Sequence, residues 1–248
     1  MSTFKACLIL ILIGFLFISC GILIHIHPNI QPAVTTGFPD TIQRVLPSVV
    51  HIMCDRWQGS GVAISEDIVV TARHVVDGLN YTITLNDGTT IKGVQAITHK
   101  DYDVGFIKVA DPNLIPAKFG SVKDCVLGQP LFAIGSTGGK INFNSVSLGI
   151  VSGLNRGNNW KNRAGEDYGW AILFQIDAEG MGGNSGCPVF TMDGMVRGIW
   201  VGSLPPAVHY SIPVDVFIKD IDKIKMLFVQ NKYQIEEKQS DASHDQGF

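Results

Sequence analysis

The chain has no paired Cys-x-x-Cys, no basic stripe and no RNA-binding signature. A zinc ribbon and a nucleic-acid surface are therefore not expected. The net charge of −3 points the same way. Cysteines are few. Two of the five, Cys7 and Cys20, lie in the first 27 residues, which leaves Cys54, Cys125 and Cys187. Three is odd, so a disulfide scaffold is excluded, and each thiol reads first as a small buried hydrophobe. Charge is missing altogether from Ala6 to Ile26, ACLILILIGFLFISCGILIHI, which holds no Asp, Glu, Lys or Arg. About 20 apolar residues match a bilayer core, and a soluble helix would show a polar face.

That run predicts one N-terminal transmembrane helix over 1–27. Lys5 precedes it and no lysine or arginine follows until Arg44. The positive-inside bias then leaves the N-terminus in the cytoplasm and exports the remainder, to a periplasm or the outside. A cleaved signal peptide or a lipoprotein signal ending at Cys20 shares this topology, and both stay open. A linker with three prolines covers 28–40.

What the chain has in quantity is glycine, 27 residues, set between short apolar runs. Val49–Met53, Val62–Ile64, Ile68–Ala72, Tyr81–Leu85, Ile97–Thr98 and Val104–Val109 read as one set of strands. Pro130–Gly135, Asn144–Val151, Trp170–Ile176, Pro188–Thr191, Val196–Val201 and His209–Ile212 read as a second. Short strands with turn signals every 8–12 residues suggest sandwiches or barrels. A folded domain over 41–233 is expected, with a first barrel at about 44–115 and a second at about 121–213. From Val214 to Lys232 the period changes: Val214, Phe217, Ile218, Ile221, Ile224 and Phe228 recur at helical steps. This predicts an amphipathic helix over 214–232 opened by Pro213. The polar residues 234–248 form a tail.

Within the second set, Gly182-Gly183-Asn184-Ser185-Gly186-Cys187-Pro188 places a serine at the tip of a glycine turn between two apolar strands. Glycine lets a ligand come close to the main chain, and the serine could be a nucleophile beside oxyanion-binding N–H groups. A glycine-rich hairpin is the rival reading. A base and a buried carboxylate decide between them. Of seven histidines, His25 and His27 belong to the apolar segment and His244 to the tail. His99 sits between polar neighbours. His51 and His209 lie in strand runs, as satisfied core histidines would. His74 alone is handed from a buried strand, Ile68–Ala72, to a turn, which would hold its ring rigidly. Asp103 opens the apolar strand Val104–Ile107 and suits a carboxylate screened from water. Asp101, on the same side beside Lys100, is the alternative.

These residues carry a resemblance. Val69 to Gly78 resembles the catalytic-histidine segment of trypsin-like serine proteases, nearest the HtrA/Deg branch. Asp103–Ile107 is similar to that family's aspartate segment. Asp177-Ala178 with Gly183–Gly186 is similar to its nucleophile segment. The order His, Asp, Ser and the further matches at Ala133–Gly135, Gly149–Ser152 and Tyr210–Pro213 extend it over 41–233. The resemblance implies an all-β, chymotrypsin-like double β-barrel with its site between the barrels. It implies Ser185 as nucleophile, His74 as base and acid, Asp103 as orienting carboxylate, and the Gly183 and Ser185 amides as oxyanion hole. Glu179 and Met181 would wall the primary specificity pocket, where Glu179 either favours a basic residue or is solvated. Ile199, Trp200, Val201 and Gly202 would line the cleft as an edge strand for polypeptide substrates. Neither metal nor cofactor is expected. A homo-oligomer is left open.

Two departures matter. Cys187 stands where the family has glycine, so it would restrict the site or make it thiol-sensitive. No PDZ domain is expected after the helix. The implied function is a membrane-held serine endopeptidase for unfolded or extended segments. A catalytically latent or inactive protease-fold module for peptide binding is the alternative. Gly135–Lys140 resembles a phosphate loop, but Ile141 follows the lysine where Ser or Thr belongs, and a hairpin turn is expected there.

Overall fold

A computed structural model describes residues 37–157, 171–204 and 206–230. A helix α1 (Phe38–Val45) and a 3-10 turn (Leu46–Ser48) lead into six strands: β1 (Val49–Met53), β2 (Gln58–Ala63), β3 (Ile68–Thr71), β4 (Thr82–Thr84), β5 (Thr90–Thr98) and β6 (Gly105–Val109). They close into a barrel in the order β1-β2-β3-β6-β5-β4. β-Branched residues supply the inward face, with Ile52, Val69, Ile83 and Ile107 all fully buried. Gly61 admits them. A Cβ there would lie 2.9 Å from Ile52 Cδ1.

Seven strands follow: β7 (Lys118–Phe119), β8 (Pro130–Gly135), β9 (Ser145–Gly153), β10 (Phe174–Ile176), β11 (Pro188–Thr191), β12 (Met195–Leu204) and β13 (Val208–Pro213). Their order is β11-β8-β9-β10-β13-β12-β7, and β11 also pairs with β12, so β8–β13 close on themselves. β7 is added in parallel at the start of β12, Lys118 opposite Met195. Leu131, Val151, Phe174, Ile176, Val189 and Trp200 pack the interior. The architecture is the expected all-β double barrel of six-stranded units.

The helical period after Pro213 is right, but its start is different. Residues 214–216 and 218–220 form 3-10 turns, and the α-helix α2 covers 221–230. Phe217, at φ −132°, interrupts the run. Its fully buried ring sits edge-on to Phe106 (5.7 Å) and Phe119 (6.4 Å). Packing of that ring outweighs continuous helix geometry. The predicted membrane segment and polar tail lie outside the described residues. Among the described residues no helix is long and apolar enough to cross a membrane.

His51 corrects an expectation. It is buried on β1 at 1% exposure, yet among the described residues neither ring nitrogen finds a partner in hydrogen-bond geometry. Phe143 meets it edge-on at 6.4 Å. Burial lowers its pKa below the usual value. The Gln58 side chain works the other way, and the Lys140 charge adds to the lowering. The unfolded chain then binds a proton at a higher pH than the native one. Stability is therefore full above about pH 6.5 and falls with acidification, by at most about 1.4 kcal/mol per pH unit for each such histidine. His51→Leu should flatten the drop in urea midpoint between pH 7 and pH 5, and an unchanged slope would refute the role of His51.

Candidate active site

His74 is delivered by the end of β3. A 3-10 turn over Arg73–Val76 follows it, anchored by the buried Val75 and Val76 and closed by Val75 N–H on the Ala72 carbonyl at 3.1 Å. β6 begins with Gly105, where a Cβ would meet Val76 Cγ2 at 2.7 Å. That close approach puts Asp103, just ahead of β6, under His74. The Asp103 carboxylate is 2% exposed. Its Oδ2 accepts from His74 Nδ1 at 2.9 Å, and its Oδ1 accepts from the His74 main-chain N–H at 3.1 Å. With Nδ1 donating, the neutral ring presents Nε2 as an acceptor. The His74 side chain is 44% exposed, so this nitrogen can be reached. Asp101 instead pairs with Lys100 at 2.7 Å on the surface, 53% exposed.

Ser185 comes from the segment between β10 and β11. Met181 to Asn184 form a turn closed by Asn184 N–H on the Met181 carbonyl at 3.1 Å, with Gly183 at φ +100°. That is the third position of a type II turn, which needs glycine. Gly183 is doubly required, because a Cβ would run into the Ser136 carbonyl. At Gly186, φ +85°, a Cβ would strike Thr71 Oγ1 and the Ser60 carbonyl and lie 2.9 Å from the Ala72 nitrogen. So the residue after Ser185 packs on the main chain two residues before His74. The fold thus brings the Ser185–Gly186 segment of the second barrel onto β2 and the end of β3 in the first, the strand that leads to His74.

The clamp that holds this turn is not announced by any motif. Ser60, buried on β2, donates its main-chain N–H to the Ser185 carbonyl at 2.8 Å. Its hydroxyl donates to the Gly183 carbonyl and accepts from the Ser136 N–H, both at 2.8 Å. Thr71 Oγ1 donates to the Ser60 carbonyl at 2.6 Å. Gly138 N–H donates to the Gly182 carbonyl at 2.6 Å. The glycine-rich loop after β8 therefore brackets the Ser185 turn, which accounts for its likeness to a phosphate loop. Asn184 is buried and accepts from Thr137 Oγ1 at 2.7 Å. The only sequence signal for Ser60 is the Gly59-Ser60-Gly61 interruption of an apolar run.

The remaining site candidates divide by burial. Glu179 is exposed, and Met181 is 64% exposed. Ile199, Trp200 and Val201 are buried, and Gly202 is half-buried. A ligand beside them meets main chain. Trp200 is tied to the segment after the serine: its carbonyl accepts from Gly186 N–H at 2.7 Å and its N–H donates to the Cys187 carbonyl at 3.0 Å. Its indole lies against the His209 ring at 4.6 Å between centroids, tilted by 44°. His209 was expected to be satisfied. Its Nδ1 meets Ser203 Oγ at 2.7 Å, but among the described residues its buried Nε2 has no partner. Burial lowers its pKa, against the charges of Asp177 and Glu179 and the Pro206 main chain. Cys187 is fully buried, and burial raises its thiol pKa far above the usual value. A buried, protonated thiol does not fit the thiol-sensitive alternative. Among the described residues no three His, Cys, Asp or Glu side chains are placed to hold a metal ion.

Comparison with known proteins is consistent with this geometry. Residues 59–199 match a trypsin-like peptidase domain. The chain is 30% identical over 211 residues to the serine protease HTRA1A of Danio rerio, covering 79% of this chain and 43% of that protein. It is 33% identical over 179 residues to a probable periplasmic serine endoprotease, DegP-like, of Halomonas elongata, covering 67% and 35%. The chain thus spans less than half the length of the curated relatives it matches. Among solved structures, the HtrA-type protease AlgW with tripeptide superposes with a TM-score of 0.65 at 23% identity, covering 76% of this chain and 63% of that one. That likeness is one of fold.

Proposed function

Because the chain belongs to the trypsin-like peptidase family, with HtrA and DegP serine proteases as homologues, we propose that it is a serine endopeptidase for unfolded or extended polypeptide segments. The observation that carries this is the buried Asp103 carboxylate, 2.9 Å from His74 Nδ1. Ser185 Oγ attacks the scissile carbonyl while His74 Nε2 takes its proton. Asp103 holds the tautomer and stabilises the imidazolium. Among the described residues, neither the Gly183 nor the Ser185 N–H donates to a main-chain acceptor, so both are left for the developing oxyanion. The tetrahedral intermediate collapses as the C–N bond breaks, and His74 gives the proton to the leaving amine. Water then attacks the acyl-enzyme by the reverse set of transfers.

An extended substrate suits the site because the end of β12, from Val201 to Leu204, offers main chain beside Ser185 for strand addition. The apolar 6–26 run, with a relative named as periplasmic, fits an exported chain held by one span. Incubating the full chain with a fluorophosphonate and mapping the adduct by mass spectrometry tests the assignment. A single adduct on Ser185, lost in His74→Ala, is expected. An adduct elsewhere, or none under any condition, would sink it.

A further inference from the structure

The Gly182–Gly183 turn also forms one wall of a groove on the side away from β12. The groove holds about 550 Å3 and is lined by Met53, Cys54, Asp55, Arg56, Trp57, Gln58, Gly182 and Gly183, with the Arg56 charge turned to Asp77 at 3.6 Å. Its far wall is the hairpin between β1 and β2. Trp57 is 54% exposed and Met53 42%. An indole left this open gains little from the fold itself.

The hairpin is braced, so the indole is held in place. Cys54 N–H donates to the Trp57 carbonyl at 2.9 Å, and Trp57 N–H donates to Cys54 Sγ at 3.3 Å. Asp55 takes the Leu79 N–H on its carboxylate at 2.7 Å and gives its own N–H to the Leu79 carbonyl at 3.2 Å. Leu79 follows the turn that holds His74, so the brace runs back to the site.

The hairpin and β12 reach the Ser185 segment at different points. β2 bonds the Ser185 carbonyl, and the hairpin faces Gly182 and Gly183. β12 bonds Gly186 and Cys187. A peptide whose acyl side adds to the end of β12 sends its leaving side over Gly183 into the groove. We infer that this groove binds an apolar side chain, aromatic or long aliphatic, at the first or second residue on the leaving-group side of the scissile bond, with Trp57 as its main contact. The inference rests on the protease reading above. It makes Trp57 a specificity determinant for one half of the reaction. The leaving segment departs when the Ser185 Oγ–C bond has formed and the C–N bond has broken, so the groove acts on acylation and not on hydrolysis of the acyl-enzyme.

That division supplies the test. Full-chain protein and Trp57→Ala are compared on three substrates: a quenched peptide with Phe or Leu in the first two positions after the bond, the same peptide with glycine there, and a peptide anilide with no residue after the bond. Trp57→Ala is expected to lower kcat/KM about tenfold on the first and to leave the other two, and the rate of fluorophosphonate labelling, unchanged; Trp57→Phe should recover most of the loss. Equal losses on peptide and anilide, or no loss on the apolar peptide, overturn the inference. If wild-type protein fails to take the fluorophosphonate on Ser185, the nucleophile assignment has failed and this inference falls with it, a result distinct from a labelled enzyme indifferent to Trp57.

Discussion

Replacing Ser185 with alanine is expected to lower kcat/KM on a quenched peptide by about 10^6-fold while leaving the melting temperature nearly unchanged. The two halves of this expectation come from different atoms. The fold uses the main chain of Ser185, whose carbonyl accepts from Ser60 N–H at 2.8 Å. Alanine keeps that bond, the Met181–Asn184 turn and the packing of Gly186 on Ala72. Only the hydroxyl is lost, and with it the covalent route. A residual rate about 10^3-fold above water should persist if the Gly183 and Ser185 amides form the proposed oxyanion hole, because they and His74 remain. Retention of more than a few per cent of wild-type activity in Ser185→Ala would remove Ser185 from the mechanism.

Asp103→Asn should cost about 10^4-fold in kcat. The carboxylate accepts both the ring Nδ1–H and the main-chain N–H of His74, at 2.9 and 3.1 Å. An amide has one oxygen for these two donors. If it turns the oxygen to the main chain, its NH2 faces Nδ1 and forces the proton onto Nε2, where the ring can no longer act as base. The parallel variant Asp101→Asn separates the two candidate carboxylates. Asp101 pairs with Lys100 at 53% exposure, where solvent screens the pair. Its kcat should stay within about twofold of wild type. Similar losses in both variants would mean that the wrong distinction has been drawn between the carboxylates.

The double barrel is legible in the sequence because strand-length apolar runs alternate with glycine turns, and β-branched residues such as Ile52, Val69 and Ile83 occupy the inward positions. His74 and Asp103 are legible for a related reason: each adjoins a buried strand, where the chain has little freedom. What cannot be read locally is the contact between barrels. Ser60 is 123 residues from Gly183 and 76 from Ser136, yet its one hydroxyl joins them. No periodicity reports a pairing at that separation. Histidine burial is likewise readable from strand alternation at His51 and His209, but hydrogen bonding is not, and the buried nitrogens without partners on both emerge only in the fold. The helix after Pro213 shows the converse limit. Its spacing is helical throughout, while Phe217 takes the conformation that its place against Phe106 demands.

The distribution of the site between barrels also bears on time. His74, Asp103 and Ser60 belong to β1–β6 and the turns beside them, the earlier half of the chain to be synthesised, whereas Ser136, Gly183 and Ser185 belong to the later half. A growing chain that has folded only its first barrel carries the proposed base and its carboxylate with nothing to activate. The turn around Ser185 gains its clamp when Ser60 meets Gly183 and Ser136, so the proposed peptidase would arm itself only as the last strands close. A chain stalled before β12 would be proteolytically silent, and newly made neighbours would be spared while the enzyme is still being built.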